Sequence, residues 1–352
     1  MQNSRLVLFL AIVVATVILV IPAVALLLNF TVPSNVTVDV DSLAVVLRTF
    51  GWAFSIGILA TAIGWPLGLS VSTFSPKMRR FVLTVLLMTL VIPSYAIFYS
   101  WWQVWPAGSL IHDFMVKHEL LLFATKTTLA LSLVGWSWPI AALISATCSS
   151  KNDSLHVLHR IDGVSMCRII LNHLHSHLSL LISSCVLIAA ITAANTTSFD
   201  LSQLSTIGNE LRAVIAVGGS VHDVPILGWS SLVFACFAAV VLFRMRTQVK
   251  RTAISKSKKT AVPIIVFWIV LSGGPIIIGA LHATTVDSFL LFSQYGGDVV
   301  RSLTTALLTA LGCFMILILS ATLHASVSSR VRLSASCLDV LWVCAALVPA
   351  TI

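Results

Sequence analysis

The sequence predicts an all-α polytopic membrane protein with about nine transmembrane helices. Hydrophobic residues make up 58% of its 352 positions and charged residues only 9%, and the mean hydropathy is +1.02. So little polar surface cannot cover a soluble globule.

A helix that crosses the ~30 Å hydrocarbon layer needs roughly 20 apolar residues, and it satisfies its own backbone hydrogen bonds where water is absent. By that criterion spans are predicted over residues 6–28, 48–72, 81–102, 127–147, 178–195, 226–243, 262–282, 302–324 and 333–352. The first opens Met-Gln-Asn-Ser-Arg and lacks a clear small-residue cleavage site, so it is expected to be a retained span. Trp101, Trp102 and Trp105 stand where the third span leaves the membrane, which suits an interfacial aromatic belt. A long polar segment, 151–177, separates the fourth span from the fifth. The basic run Phe243 to Thr260 separates the sixth from the seventh and reads as a cytoplasmic linker between two halves.

Basic residues accumulate in cytoplasmic loops, and their distribution tests this map. With the N-terminus inside, 16 of the 21 Lys and Arg residues fall on the inner side; Arg48, Lys117, Lys126, Arg212 and Arg301 do not. Nine of the 12 acidic residues fall outside. The net charge of +9 therefore reads as topology and contact with anionic membrane lipid. No nucleic-acid-binding motif accompanies it, so nucleic acid is not an expected partner. Seven cysteines without a Cys-x-x-Cys pair indicate neither a disulfide framework nor a zinc site.

Two blocks of the chain run in near register. Arg48-Thr-Phe-Gly opens a span followed by the basic turn Lys77 to Arg80 and a second span reaching Pro93; Arg301-Ser-Leu-Thr opens another, followed by Ser328 to Arg332 and a run to Pro349. Internal repeats of this kind are common in transporters. The expected organisation is a first module at 1–250, a basic linker at 251–261, and an incomplete second module at 262–352.

The segment 151–177 carries the richest local pattern. Asn152, Asp153 or Ser154 can cap a helix N-terminus, and Gly163 can end the helix in the left-handed conformation. Between them Leu155, Leu158 and Ile161 form one apolar ridge, with His156, His159, Arg160 and Asp162 around it. A two-turn helix is not stable alone in water, so it needs a surface: a groove on a cytoplasmic ATPase, or the membrane and its own neighbours. Five of the ten histidines, His156, His159, His173, His175 and His177, also lie here. The last three could present metal ligands on one face of a strand, or His173 and His177 on one helix face, but no Cys or nearby carboxylate completes a site, and solvated loop histidines are the expected reading.

This loop resembles the cytoplasmic coupling loop of permease subunits of bacterial binding-protein-dependent ABC importers, whose pattern is Glu-Ala-Ala, three residues, Gly, about nine residues, then Ile-x-Leu-Pro. The Glu-Ala-Ala positions fall on Val157, Leu158 and His159; Arg160-Ile161-Asp162-Gly163 agrees closely with common members, and Cys167-Arg168-Ile169-Ile170-Leu171 is similar to their continuation. The motif is degenerate: Val157 replaces the acid, both alanines are changed, and no proline occurs from Asn172 to Leu178. Residues 196–225, with Phe199-Asp200 and Thr206 to Leu211, look like the family's external gating segment. The layout is similar to the two-module ferric-iron and thiamine importers, with a second module that stops before a second coupling loop.

The resemblance implies a type I ABC-importer-like permease module plus a partial repeat, with Leu155, Val157, Leu158, His159, Arg160, Ile161, Asp162 and Gly163 forming the ATPase-coupling loop. Its expected partners are a cytoplasmic ATP-binding subunit, an external substrate-binding protein, and a second permease chain or a homodimer. The chain has no Gly-x-x-x-x-Gly-Lys-Ser/Thr phosphate loop, so it is expected to be no enzyme and to hold no cofactor, ATP being bound by the partner subunit. An ion-coupled secondary transporter is the main alternative, and it would need ionisable groups inside the membrane; none stands near the centre of a predicted span. A degenerate, non-transporting membrane protein is the other.

Overall fold

The structure is a computed structural model that describes residues 40–72, 74–147, 175, 177–219, 224–246, 262–283 and 288–324. The described residues are 87% helix and contain no strand. In chain order the helices are α1 (Val40–Ser72), α2 (Pro76–Val91), α3 (Ser94–Trp102), α4 (Leu110–Lys117), α5 (Leu121–Thr147), α6 (Leu178–Ala193), α7 (Thr196–Leu201), α8 (Ile207–Ala216), α9 (Pro225–Arg246), α10 (Val262–Trp268), α11 (Gly274–Ala283) and α12 (Ser288–His324). A π-helical turn, Ile269–Gly273, joins α10 to α11.

Among the described residues, four helical stretches are long and apolar enough to cross a membrane: Asp41–Val71, Leu121–Ala146, Pro225–Leu242 and Ile264–Leu281. The pair α2 and α3 makes a fifth if the two count as one span. This is a membrane protein by the length and apolarity of its helices. α6 is apolar but has 16 residues, about 24 Å at 1.5 Å per residue, short of the hydrocarbon thickness. The predicted spans 6–28 and 333–352, the linker 251–261 and the part of the repeat's second hairpin beyond His324 lie outside the described residues, while its first arm, from Arg301, continues within α12.

The expected span 81–102 needs correction. It is not one straight helix, because α2 and α3 meet at 85°. Pro93 disfavours a helical residue before it, and Ile92 is accordingly extended, at φ −74° and ψ 129°.

α1 and α5 form the centre of the bundle, with α6 on the other side of α1. Their close approach rests on small residues. Gly64 and Gly68 stand four apart on one face of α1, and a Cβ at either would overlap the backbone of α5, at the carbonyl of Trp138 and of Ala142 respectively. Without a hydrophobic drive between helices in lipid, backbone proximity of this kind supplies the van der Waals contact that holds them. Around it pack Ile56, Ala60, Leu67, Leu129, Leu133, Trp138, Ala141 and Ile188. A second cluster joins Val45 and Val46 near the start of α1 to Ile207, Leu211 and Leu227. The segment 196–225 contains α7 and α8, of which α8 lies against the first turns of α1 and α9 and α7 packs on α3 and α8. Gly218, at φ +83°, ends α8 in the left-handed conformation with Gly219 N donating to Val214 O at 2.9 Å.

Helix ends gather on one face. Arg79, at the beginning of α2, donates to the Ala146 carbonyl at the end of α5 at 3.1 Å, a favourable place for a cation. Trp65, late in α1, packs on His177 before α6, with ring centroids 5.9 Å apart.

Candidate functional site: the broken span and its polar seam

The break at Ile92-Pro93 frees a carbonyl that a straight helix would have bonded. Trp136 of α5 takes it, its indole Nε1 donating to Ile92 O at 2.9 Å. Trp136 lies ten residues before Ala146 on α5, about 15 Å along the axis, so the break sits inside the bundle. Beyond it α3 starts with Ser94. Ser94 Oγ accepts from Asn195 Nδ2 and lies 3.1 Å from Ser198 Oγ. Asn195 ends α6 and caps α7, its Oδ1 accepting from Ser198 N at 3.3 Å. One amide side chain and two hydroxyls therefore tie the half-helix α3 to the junction of α6 and α7.

A second polar contact lies further along α5. Ser272, in the π-helical turn, donates to the Gly135 carbonyl at 2.6 Å and accepts from Trp138 Nε1 at 3.2 Å. Trp138 and Ser272 are fully buried. Gly135 has no room for a side chain, since a Cβ there would overlap the Leu271 carbonyl. Just before the π turn, Trp268 Nε1 donates to Thr89 Oγ1 of α2 at 2.7 Å. The helix pair α10 and α11, placed by sequence in the second module, thus packs directly on α2, α3 and α5 of the first.

The third polar stretch runs between α1 and α6. Thr61 and Trp65, four apart on α1, share the face whose Gly57 meets Cys185 and Ala189 of α6; Trp65 packs with Leu180. Thr61 Oγ1, Trp65 Nε1 and Ser184 Oγ are buried and make no hydrogen bond. Unsatisfied groups in a dry interior are costly. Near the start of α1, Thr49 Oγ1 donates to Val45 O at 2.8 Å and accepts from Ile207 N at 3.0 Å, joining α8 to α1. On the exposed side of that segment Arg212 pairs with Asp200 at 3.2 Å.

The coupling-loop residues Leu155, Val157, Leu158, His159, Arg160, Ile161, Asp162 and Gly163 lie outside the described residues, as does His173. The described histidines of that tract part company: His175 is exposed, whereas His177 is buried against Trp65. No group of three or more His, Cys, Asp or Glu side chains gathers among the described residues.

Sequence reading missed Ser94, Trp136, Trp138, Asn195 and Ser272. Pro93 within an apolar run was the available signal for the break, and Gly64-Trp-Pro-Leu-Gly68 was the signal for the α1–α5 contact. Hydroxyls, indoles and one amide can bond neutral polar groups and shed them again. They offer no acid–base pair or activated nucleophile.

No known protein family, no curated protein and no solved structure matches this chain.

Proposed function

We propose that the chain is the membrane-spanning permease subunit of an ABC-type importer, forming the substrate pathway and coupling to a separate cytoplasmic ATPase. The observation that carries this reading is the gathering of helix ends on one face. Arg79 holds the end of α5, Trp65 holds the start of α6, and α1 passes to α2 within residues 73–75. The residues between α5 and α6, which bear the Leu155–Gly163 motif, are therefore flanked by helix ends on the face that also carries the basic turn at Lys77 to Arg80. A cytoplasmic motor would press there. A broken span and a π-helical turn packed on a common helix also suit a pathway, since discontinuous helices line transport sites.

In this reading the membrane is the bacterial cytoplasmic membrane, with the N-terminus inside. An external binding protein delivers the cargo, with ferric iron or thiamine suggested by the two-module layout. A second permease chain or a second copy completes the pathway. Affinity purification in mild detergent tests the assembly: an ATPase subunit and a second permease are expected to come along, and recovery of neither would favour a non-transporting membrane protein.

One observation favours a second reading. His177 is the one ionisable side chain among the buried polar residues described, the rest being Ser and Thr, and it stands at the end of the α1–α6 seam. In an ion-coupled secondary transporter it would be the group that titrates. Uptake that persists without ATP but collapses with the proton gradient, and is lost in His177→Gln, would select that reading.

A further inference from the structure

We propose that α4 is a membrane-surface helix, with its Leu110, Ile111 and Phe114 side chains seated at the boundary between lipid headgroups and acyl chains. Successive helical residues turn by 100°, so Leu110, Ile111, Phe114 and Met115 share one arc, while His112, Asp113 and Lys117, with Val116 among them, lie on the other. Most of that arc is left uncovered by the protein: Leu110 is 90% exposed, Ile111 56% and Phe114 57%, while Met115 is half-buried and Phe114 packs on His118 with ring centroids 4.4 Å apart.

The helix is nevertheless well defined at both ends. Ser109 Oγ accepts from His112 N at 3.2 Å. Glu119, at φ +57°, closes the other end, with Leu120 N donating to Met115 O at 2.8 Å. Eight residues are too few for a stable helix in water, so these caps hold a shape whose apolar face still requires a cover.

Its neighbours in the chain identify that cover. Only three residues separate Lys117 from Leu121, the first residue of the spanning helix α5, and they reach at most about 14 Å across four peptide units. α4 therefore cannot leave the level at which α5 enters the membrane. The first turn of α5 exposes Leu122 at 61% and Phe123 at 68%, which continues the apolar surface onto a spanning helix. On the other side, Trp101, Trp102 and Trp105 lie at the end of α3, the residue type that settles at the headgroup level. An apolar arc flanked by a tryptophan cluster and the first turn of a spanning helix, with charges on its far side, matches an interfacial helix.

The test places the photocrosslinker benzoylphenylalanine in the full chain in membranes, in place of Ile111, Asp113 or Phe237. Phe237 is half-exposed on the spanning helix α9 and serves as the lipid-facing reference. After irradiation, mass spectrometry is expected to find lipid adducts at Ile111 comparable to those at Phe237 and several-fold fewer at Asp113. Protein adducts at Ile111 would assign the face to a docking partner instead. Adducts at Phe237 with none at Ile111, or equal lipid labelling at Ile111 and Asp113, would also overturn the proposal.

Discussion

At the residue scale the bundle depends on a few positions where no atom can be added. Gly64→Val would drive a branched side chain into the Trp138 carbonyl and Ala141 of α5, and neither backbone can retreat without moving the whole helix. Overpacking costs about 1–3 kcal/mol, so the thermal midpoint in detergent should fall clearly. Gly51→Ala, with nothing within 4 Å of the added carbon, should leave it unchanged or raise it. The Ser272 contact makes a different kind of demand. Ser272→Ala orphans the buried Trp138 Nε1 and removes a donor from the Gly135 carbonyl, a loss of about 1–3 kcal/mol. Trp138→Phe removes the orphaned donor as well, so a double-mutant cycle should show positive coupling between the two positions. Strictly additive effects would mean that the bond contributes nothing.

At the element scale, what could be read from sequence was the apolar run and what could not was the path of the backbone through it. Residues 178–195 and 226–243 are predicted as spans, and the helices Leu178–Ala193 and Pro225–Arg246 lie close to those bounds, because an apolar segment in lipid has no alternative to the helix. α1 is helical from Val40, eight residues before the predicted start at Arg48; hydropathy marks where a chain enters the membrane, and helical hydrogen bonds continue past that point. The π-helical turn leaves no mark in an apolar run, since the choice between bonding partners four or five residues apart is made by packing on α5. Pro93 was legible and tells most about function. Pro93→Ala restores a backbone N–H and lifts the restriction on Ile92, so α2 and α3 can join into a straighter helix. The Ser94–Asn195–Ser198 contact would then be lost. If the break serves transport, uptake should drop roughly tenfold, equivalent to about 1.4 kcal/mol, while the folded protein still accumulates in the membrane. Unchanged uptake in a stable Pro93→Ala protein would reduce the break to a packing feature.

At the scale of the whole molecule, the two faces of the bundle are held by different chemistry, and under the proposed function this asymmetry would connect the fold to a transport cycle. On one face, α8 rests on α1 through one buried hydroxyl, Thr49, and the cluster around Leu211, with the exposed Arg212–Asp200 pair, which ties α8 to α7, adding about 0–1 kcal/mol. On the other, Arg79 and Trp65 bind the ends of α5 and α6 to the ends of α2 and α1. A push delivered between α5 and α6 therefore acts on two helices that share α1 as a neighbour, and α1 extends 33 residues to the opposite face. Under the proposed function, a motor on one side would reach α8 on the other through this single helix. The coupling-loop motif supplies the point of contact in this scheme. Leu158→Asp would place a charge in the apolar ridge expected from the sequence, and Gly163→Val would strain the left-handed conformation expected of the residue that ends it. Made together, the two changes are expected to leave membrane insertion and thermal stability intact, because neither replaces a residue of the described apolar clusters that join α1, α5 and α6. ATP hydrolysis by the co-purified ATPase should then continue while uptake falls to background. Uptake equal to the parent chain, measured in the same vesicles with ATPase activity as the internal control, would remove the loop from the coupling path.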